Sequence, residues 1–361
     1  MSIFKDMLKA GESLFRDEIA LDYDYLPKLL PYREKEQFYI AGCIKPLLEK
    51  RNGKNLFIHG APGIGKTAAT RHILRDLENE TDDVIPIYIN CWKKNTTYKI
   101  VLEICEILGY KFTQNKKTDE LFKIIKEKLN KKSAVFVFDE ADKLEDFDFL
   151  YLLLEEIFRK TVILITNFKN WILNLDERVR SRLTAEIKEF KPYNAEETRG
   201  IMKKRMNYAF VPGVWEEEAF ELVARRTVVI SDIRSGLYLL KESALSAENK
   251  ASRKITPEHV KEAIEKLDDF SIKEKSDLGQ ESRNILELIK NNSHTKIGEL
   301  YKTYKRYNGT LSYKSFQRKI AKLQENKFIS IEKTEGGIEG NTTIIKYSEE
   351  KKLTDFWFKF C

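Results

Sequence analysis

The chain has 361 residues, 42% hydrophobic and 34% charged, enough for two or three domains that each bury a core. No apolar run approaches the ~20 residues of a membrane helix, and the opening Met1-Ser2-Ile3-Phe4-Lys5-Asp6 lacks the basic-then-apolar order of a secretion signal, so a cytoplasmic protein with no membrane partner is expected. Of the net charge of +7, residues 280–361 supply +6, with sixteen Lys/Arg against ten Asp/Glu, which points to a polyanion contact near the C-terminus.

Cys43, Cys91, Cys105 and Cys361 form no C-x-x-C pair, and the four histidines are dispersed. Neither a zinc site nor a disulfide framework is indicated.

In chain order, residues 15–27 read as extended, punctuated by Pro27 and Pro31. Residues 33–48 place Phe38, Ile40, Ala41, Ile44, Leu47 and Leu48 at roughly helical spacing, with Pro46 set to bend or break the helix. Next comes a short apolar run, residues 55–59, that reads as a buried strand. It feeds directly into Gly60-Ala61-Pro62-Gly63-Ile64-Gly65-Lys66-Thr67, and residues from Ala68 onward read as a helix. Strand, G-x-x-x-x-G-K-T loop and helix together form a phosphate-binding loop. Glycines let backbone amides approach a polyphosphate, and the helix start adds its positive dipole end. Lys66 would reach the outer phosphates, and the Thr67 hydroxyl would ligate Mg²⁺. The expected ligand is a nucleoside triphosphate.

Residues 84–91, 133–138 and 161–165 read as further buried strands, with helices over 96–108, 118–129 and 150–158. Alternating strands and helices predict a parallel sheet covered on both faces. The third strand ends in Asp139-Glu140-Ala141-Asp142. One carboxylate there suits a Mg²⁺ ion and its neighbour an attacking water, so Asp139 takes the metal role and Glu140 the water role. Asn167, ending the fourth strand, is placed to hydrogen-bond the γ-phosphate or that water. Arg178, Arg180 and Arg182 then crowd one short segment, either as a solvated helix face or to offer a guanidinium to a neighbouring subunit's γ-phosphate.

Pro192 marks a domain boundary, and residues 194–267 read as helical throughout. Arg234, in Ser231-Asp232-Ile233-Arg234, stands on the first turn of one of these helices, to fold over a nucleotide or to pair with a carboxylate. The polar stretch 273–279 reads as a linker. Helices at 282–290, 296–304 and 312–325 follow, then β segments at 328–333 and 342–347. Three helices and a hairpin make a winged helix, whose third helix exposes Lys314, Ser315, Gln317, Arg318, Lys319 and Lys322 toward phosphates and base edges. A protein-binding winged helix is the competing interpretation.

The run Leu26-Pro27, Pro31-Tyr32-Arg33-Glu34, the phosphate loop, Asn90-Cys91, Asp139-Glu140-Ala141-Asp142, Thr166-Asn167, residues 178–183, Ser231-Asp232-Ile233-Arg234 and a terminal winged helix resembles the archaeal replication initiators. These are AAA+ ATPases related to the origin recognition complex and to the helicase-loading cell-division-control protein. The resemblance spans nearly the whole chain. It implies an α/β AAA+ core over residues 1–192, an all-α lid over 193–272, a winged-helix DNA-binding domain over 273–352 and a tail from 353. It further implies ATP/ADP and Mg²⁺ as cofactors, slow switch-like hydrolysis, double-stranded origin DNA, a replicative helicase and further initiator subunits as partners, and nucleoid association.

By the same resemblance, Leu26, Pro27 and Arg33 line the adenine pocket, Asn167 and Arg234 are the two sensors, and Arg182 is the arginine finger, with Arg178 and Arg180 as alternatives. The region 95–112 resembles an extra helix that touches duplex DNA. Many relatives carry G-R-Y-G-R-T at the wing tip; here Gly337-Ile338-Glu339-Gly340-Asn341-Thr342 lacks both arginines, which shifts the expected DNA contact to Lys314, Arg318 and Lys322. Leu353, Phe356 and Trp357 resemble the core of a sliding-clamp docking motif, or else pack back onto the winged helix. The alternative to an initiator is an ATP-gated winged-helix regulator of transcription or signalling.

Overall fold

The computed structural model describes residues 13–276, 280–292, 294–307, 309–325, 329–334 and 342–347. The wing-tip residues 337–341 and the aromatic motif Leu353, Phe356, Trp357 lie outside them. The chain divides into two compact units, Met1–Ala263 and Ile264–Cys361.

The first unit is built on α1 (Glu34–Ile44), β1 (Leu56–His59), α2 (Lys66–Glu80), β2 (Val84–Asn90), α3 (Thr97–Ile107), α4 (Thr118–Leu129), β3 (Ser133–Asp139), α5 (Asp148–Glu156), β4 (Lys160–Thr166), α6 (Glu177–Leu183) and β5 (Glu186–Glu189). The strands form one parallel sheet in the order β2-β3-β4-β1-β5. Why β3 is apolar at almost every position follows from its place. Phe136 and Phe138 face the layer of α3, α4 and α5, while Val135 and Val137 face the layer of α1 and α2, so both sides are buried. Both phenyl rings are fully buried, and truncating either to alanine costs about 3–5 kcal/mol.

Because β1 lies beyond β4, the C-terminal ends of β3, β4 and β1 stand side by side. In open α/β sheets ligands gather at such an edge. It brings the loop after β1, the acidic pair after β3 and Asn167 after β4 to one place.

Three further helices lie wholly within this unit: α7 (Ala195–Ala209), α8 (Glu217–Ile230) and α9 (Ile233–Asn249). Asn194 caps α7 with a reciprocal pair of bonds to Glu197, as the Asn-x-x-Glu spacing predicts. The next helix, α10 (Pro257–Ser276), continues through the stretch expected to begin a linker at 273. Its lysines and acids are as compatible with a solvated helix as with a loop.

Two further expectations are corrected. The N-terminal segment is not simply extended: Glu18–Leu21 is a 3-10 turn, and Phe15 pairs with Phe210 at the end of α7. Strand β5 gives no strand signal in the sequence, since Glu-Ile-Lys-Glu is short and charged; it is a half-exposed edge. At Pro46 the chain does turn, passing from α1 into a 3-10 segment at Lys45–Leu47.

The second unit holds α11 (Gln280–Asn291), β6 (Thr295–Lys296), α12 (Ile297–Arg306), α13 (Tyr313–Glu325), β7 (Ile329–Thr334) and β8 (Thr342–Tyr347). The strands form an antiparallel sheet in the order β6-β8-β7. Ile285, Ile289, Leu300, Tyr304, Phe316, Ile320 and Leu323 meet Ile329 and Ile345 in a small core. The two-residue β6 was not expected, since its partners on β8 lie some fifty residues away. No helix among the described residues is long and apolar enough to cross a membrane.

Candidate functional site

The phosphate loop leaves β1 and turns on two glycines in the left-handed region, Gly63 at φ 72° and Gly65 at φ 87°. Each has a second reason to lack a side chain. A Cβ on Gly63 would stand 1.9 Å from Oδ1 of Asp232, and one on Gly65 2.8 Å from the Tyr193 hydroxyl. The loop is thus pressed against the start of α9 and the strand-to-lid crossing.

Lys66 opens α2 with its ammonium group nearly buried. Its Nζ donates to the carbonyls of Gly60 (2.8 Å) and Ala61 (2.7 Å) and to Oδ1 of Asn167 (2.8 Å). Burial lowers its pKa to about 8, against the pull of Asp139 in the other direction. One residue on, Oγ1 of Thr67 donates to Oδ2 of Asp139 at 2.6 Å. The same oxygen accepts from the Tyr88 hydroxyl at 2.8 Å, and Oδ1 accepts the Glu140 amide at 2.9 Å. Glu140 itself sits in the left-handed region, φ 54°, a strained backbone for a carboxylate residue. Burial first, and then Asp139 beside it, raise the pKa of its carboxyl group, while a hydrogen bond from Asn90 works the other way.

These groups line a cleft of about 420 Å³, within the range of nucleotide-sized sites. Of the residues expected from the sequence, Leu26, Pro27, Pro62, Gly63, Gly65, Lys66, Thr67, Ala68, Asp139, Glu140, Asn167 and Arg234 line it. Gly60, Ala61 and Ile64 do not: the first two face Lys66 with their carbonyls, and Ile64 packs into the core beneath.

Arg33 was expected in the base pocket and is not there. It is buried beneath the loop, where Nε and Nη2 hold the Ile64 carbonyl (3.1 and 2.9 Å) and Nη2 also holds that of Lys191 (2.7 Å). Its guanidinium lies 3.9 Å from the centre of the Tyr193 ring. Arg33 therefore braces the phosphate loop.

The cleft is also lined by Tyr25, Leu26, Pro27, Leu30, Ile201 and Leu237. The 22–31 segment is strung between two anchors. His72 Nε2 and Arg75, both on α2, bond the carbonyls of Lys28 (2.8 Å) and Pro27 (3.3 Å), while Arg205 of α7 holds those of Ala20 (3.0 Å) and Tyr25 (3.3 Å). Tyr88, Arg71, Lys204 and Arg205 line the cleft without having been singled out from sequence. The register of β2 carried a signal: Tyr88 and Asn90 share a face at the strand's C-terminal end, where ligands gather.

Arg182 lies away from this cleft. Its Nε bonds Glu155 at 2.6 Å, with the guanidinium 4.9 Å from the Tyr151 ring centre. Arg178 pairs with Asp176.

In the second unit, α13 exposes Lys314, Gln317, Arg318 and Lys322 and half-buries Lys319. Ser315 is tied into the helix start, its amide and hydroxyl both bonded by Ser312 (3.3 and 3.0 Å).

A hydroxyl and one carboxylate oxygen 2.6 Å apart, with a second carboxylate next in sequence, suit a hard divalent cation that keeps phosphate oxygens and waters as its other ligands. Among the described residues there is no cluster of three or more His, Cys, Asp or Glu that would bind a metal by itself.

Residues 49–167 match the AAA domain family, and residues 199–265 the Cdc6 AAA+ ATPase-type lid domain. The ORC1-type DNA replication protein 1 of Sulfolobus acidocaldarius is 34% identical, covering 88% of this chain and 84% of its own. The ORC1-type DNA replication protein 2 of Methanosarcina mazei is 29% identical over 96% of each chain. Among solved structures, the Aeropyrum pernix ORC1 protein in complex with DNA has a TM-score of 0.68 at 26% identity, covering 94% of this chain and 95% of its own.

Proposed function

The chain belongs to the ORC1-type DNA replication proteins, AAA+ ATPases, and on that premise we propose that it is an ATP-dependent replication initiator. In this reading it binds origin DNA, joins further initiator subunits and recruits or loads the replicative helicase, with slow ATP hydrolysis as a switch. The observation that carries it is the convergence of Lys66, Thr67, Asp139, Glu140, Asn167 and Arg234 on one cleft, with exposed Lys314, Arg318 and Lys322 on a helix of the second unit.

Lys66, its pKa lowered by burial, is stabilised as a cation by the β- and γ-phosphates. The apolar side chains of the lining, Leu26, Pro27, Leu30, Ile201 and Leu237, take the adenine. Mg²⁺, held by Thr67 and Asp139 together with phosphate oxygens, would neutralise charge on the phosphates. Glu140, a stronger base than a free carboxylate because of its burial, orients or deprotonates the attacking water. Asn167, bonded to Lys66, fixes that water or the γ-phosphate. Arg234 closes from the first turn of α9. Arg182, presented away from its own cleft, serves the γ-phosphate of a neighbouring subunit once Glu155 releases it.

The second unit acts as a winged helix, with α13 against the major groove, and the tail motif Leu353, Phe356, Trp357 docks on a sliding clamp. Footprinting across the source genome with and without ATP tests the reading. ATP-dependent protection at a replication origin supports it, and protection confined to promoters refutes it. Loss of a clamp pull-down on deleting residues 353–361 tests the tail.

A further inference from the structure

Asp139 is a nearly buried carboxylate, and its two oxygens are unequally shared. Oδ1 is tied to its neighbour's amide, while Oδ2 accepts from two side chains, Thr67 at 2.6 Å and Tyr88 at 2.8 Å. Thr67 reaches it from the first turn of α2. Tyr88 reaches it from β2, the strand paired with β3 so that Asn90 stands opposite Asp139 and Tyr88 opposite Val137. The tyrosine is itself held, since the Arg71 guanidinium of α2 lies 5.6 Å from its ring centre.

We propose that Tyr88 is a positioning residue that fixes the rotamer of Asp139 and thereby sets how tightly the site holds its divalent cation. This rests on the reading of Thr67 and Asp139 as the metal-holding pair. Thr67 is expected to give its oxygen to the cation, so its geometry changes when the metal arrives. Tyr88 is a donor on the same carboxylate that does not itself ligate. It keeps Oδ2 in place before and after the metal binds, and spares the site the entropy of ordering a free carboxylate. A phenol is protonated at neutral pH, so it acts as a donor throughout. Removing an outer partner of a metal-holding carboxylate typically weakens metal affinity about tenfold or more.

The test is Tyr88→Phe, which keeps the ring and its packing and deletes one oxygen. Binding of a fluorescent ADP analogue is measured in EDTA and then across a Mg²⁺ titration, for the parent and the variant, with Tm recorded for both. The expected result is a Mg²⁺ midpoint raised about tenfold, well beyond any change in the affinity measured in EDTA. A variant that titrates with the parent's midpoint overturns the role of Tyr88 alone. So does one that loses affinity equally in EDTA and in Mg²⁺ with a lowered Tm, since that is a packing defect. A parent whose nucleotide affinity is indifferent to Mg²⁺ overturns the metal reading and the proposal with it. As a second variant, Tyr88→Leu should match Tyr88→Phe in midpoint while losing more Tm; a midpoint equal to the parent's also counts against the proposal.

Discussion

Gly63→Ala tests the mechanical link between the phosphate loop and the lid. The new methyl would stand 1.9 Å from Oδ1 and 2.4 Å from Cγ of Asp232, on a backbone with φ of 72°. Asp232 is the N-cap of α9, its Oδ1 accepting the Arg234 amide at 2.8 Å, and the adjoining Ile233 amide donates to the Gly63 carbonyl at 3.3 Å. The methyl therefore does two things. It places an L side chain in the left-handed region, worth about 1 kcal/mol, and it evicts the cap, worth about 1 kcal/mol more. The sum, about 2 kcal/mol, should lower Tm by roughly 4–8 °C for a unit of this size. Asp232→Ala alone should cost about 1 kcal/mol, the cap only. In the double variant the methyl meets no carboxylate, so the cost stays near 2 kcal/mol and the pair falls short of additivity by about 1 kcal/mol. Urea unfolding of the four proteins reads this directly. Additivity within about 0.3 kcal/mol would refute the contact as the source of the effect.

Arg33→Lys should destabilise by about 3 kcal/mol, because a lysine cannot hold the Ile64 and Lys191 carbonyls together; a urea midpoint equal to the parent's contradicts the bracing role. Burial lowers the pKa of His59, helped by Lys169 and Lys66 and opposed by Glu189. The unfolded chain then takes up a proton that the folded one refuses, so stability falls as pH drops through about 6.5, by at most about 1.4 kcal/mol per unit. The His59→Gln variant should show a shallower acid slope in Tm between pH 7.5 and 5.5, and parallel curves would exclude His59 as the source. Replacing Lys314, Arg318 and Lys322 together by alanine should cut the salt dependence of duplex binding by about three units of slope. An unchanged slope in a filter-binding series would move the DNA contact off α13.

What the sequence shows of this protein depends on how locally each feature is encoded. The phosphate loop is eight consecutive residues whose chemistry is fixed by the backbone they need, and Asp139 and Glu140 follow directly from a strand that can only be buried. Their meeting place follows from the sheet order, since β3 and β1 flank β4. The partner of Arg33 is not legible in the sequence, because a position 27 residues before Gly60 does not say where its guanidinium points. Only the packing of Tyr193 and Phe190 around it turns it under the loop. Tyr88 was hidden for a related reason. Within Val-Ile-Pro-Ile-Tyr-Ile-Asn it reads as one more core aromatic, and its hydroxyl gains a role only when parallel pairing sets it beside the strand that ends in Asp139. Contacts between elements distant in sequence thus decide which aromatic is a donor and which arginine is a brace. The lid shows the same limit: its caps are local and legible, whereas the pressure of Asp232 on Gly63 joins residues 169 positions apart and gives a reason for the second glycine of the loop that phosphate binding alone does not supply.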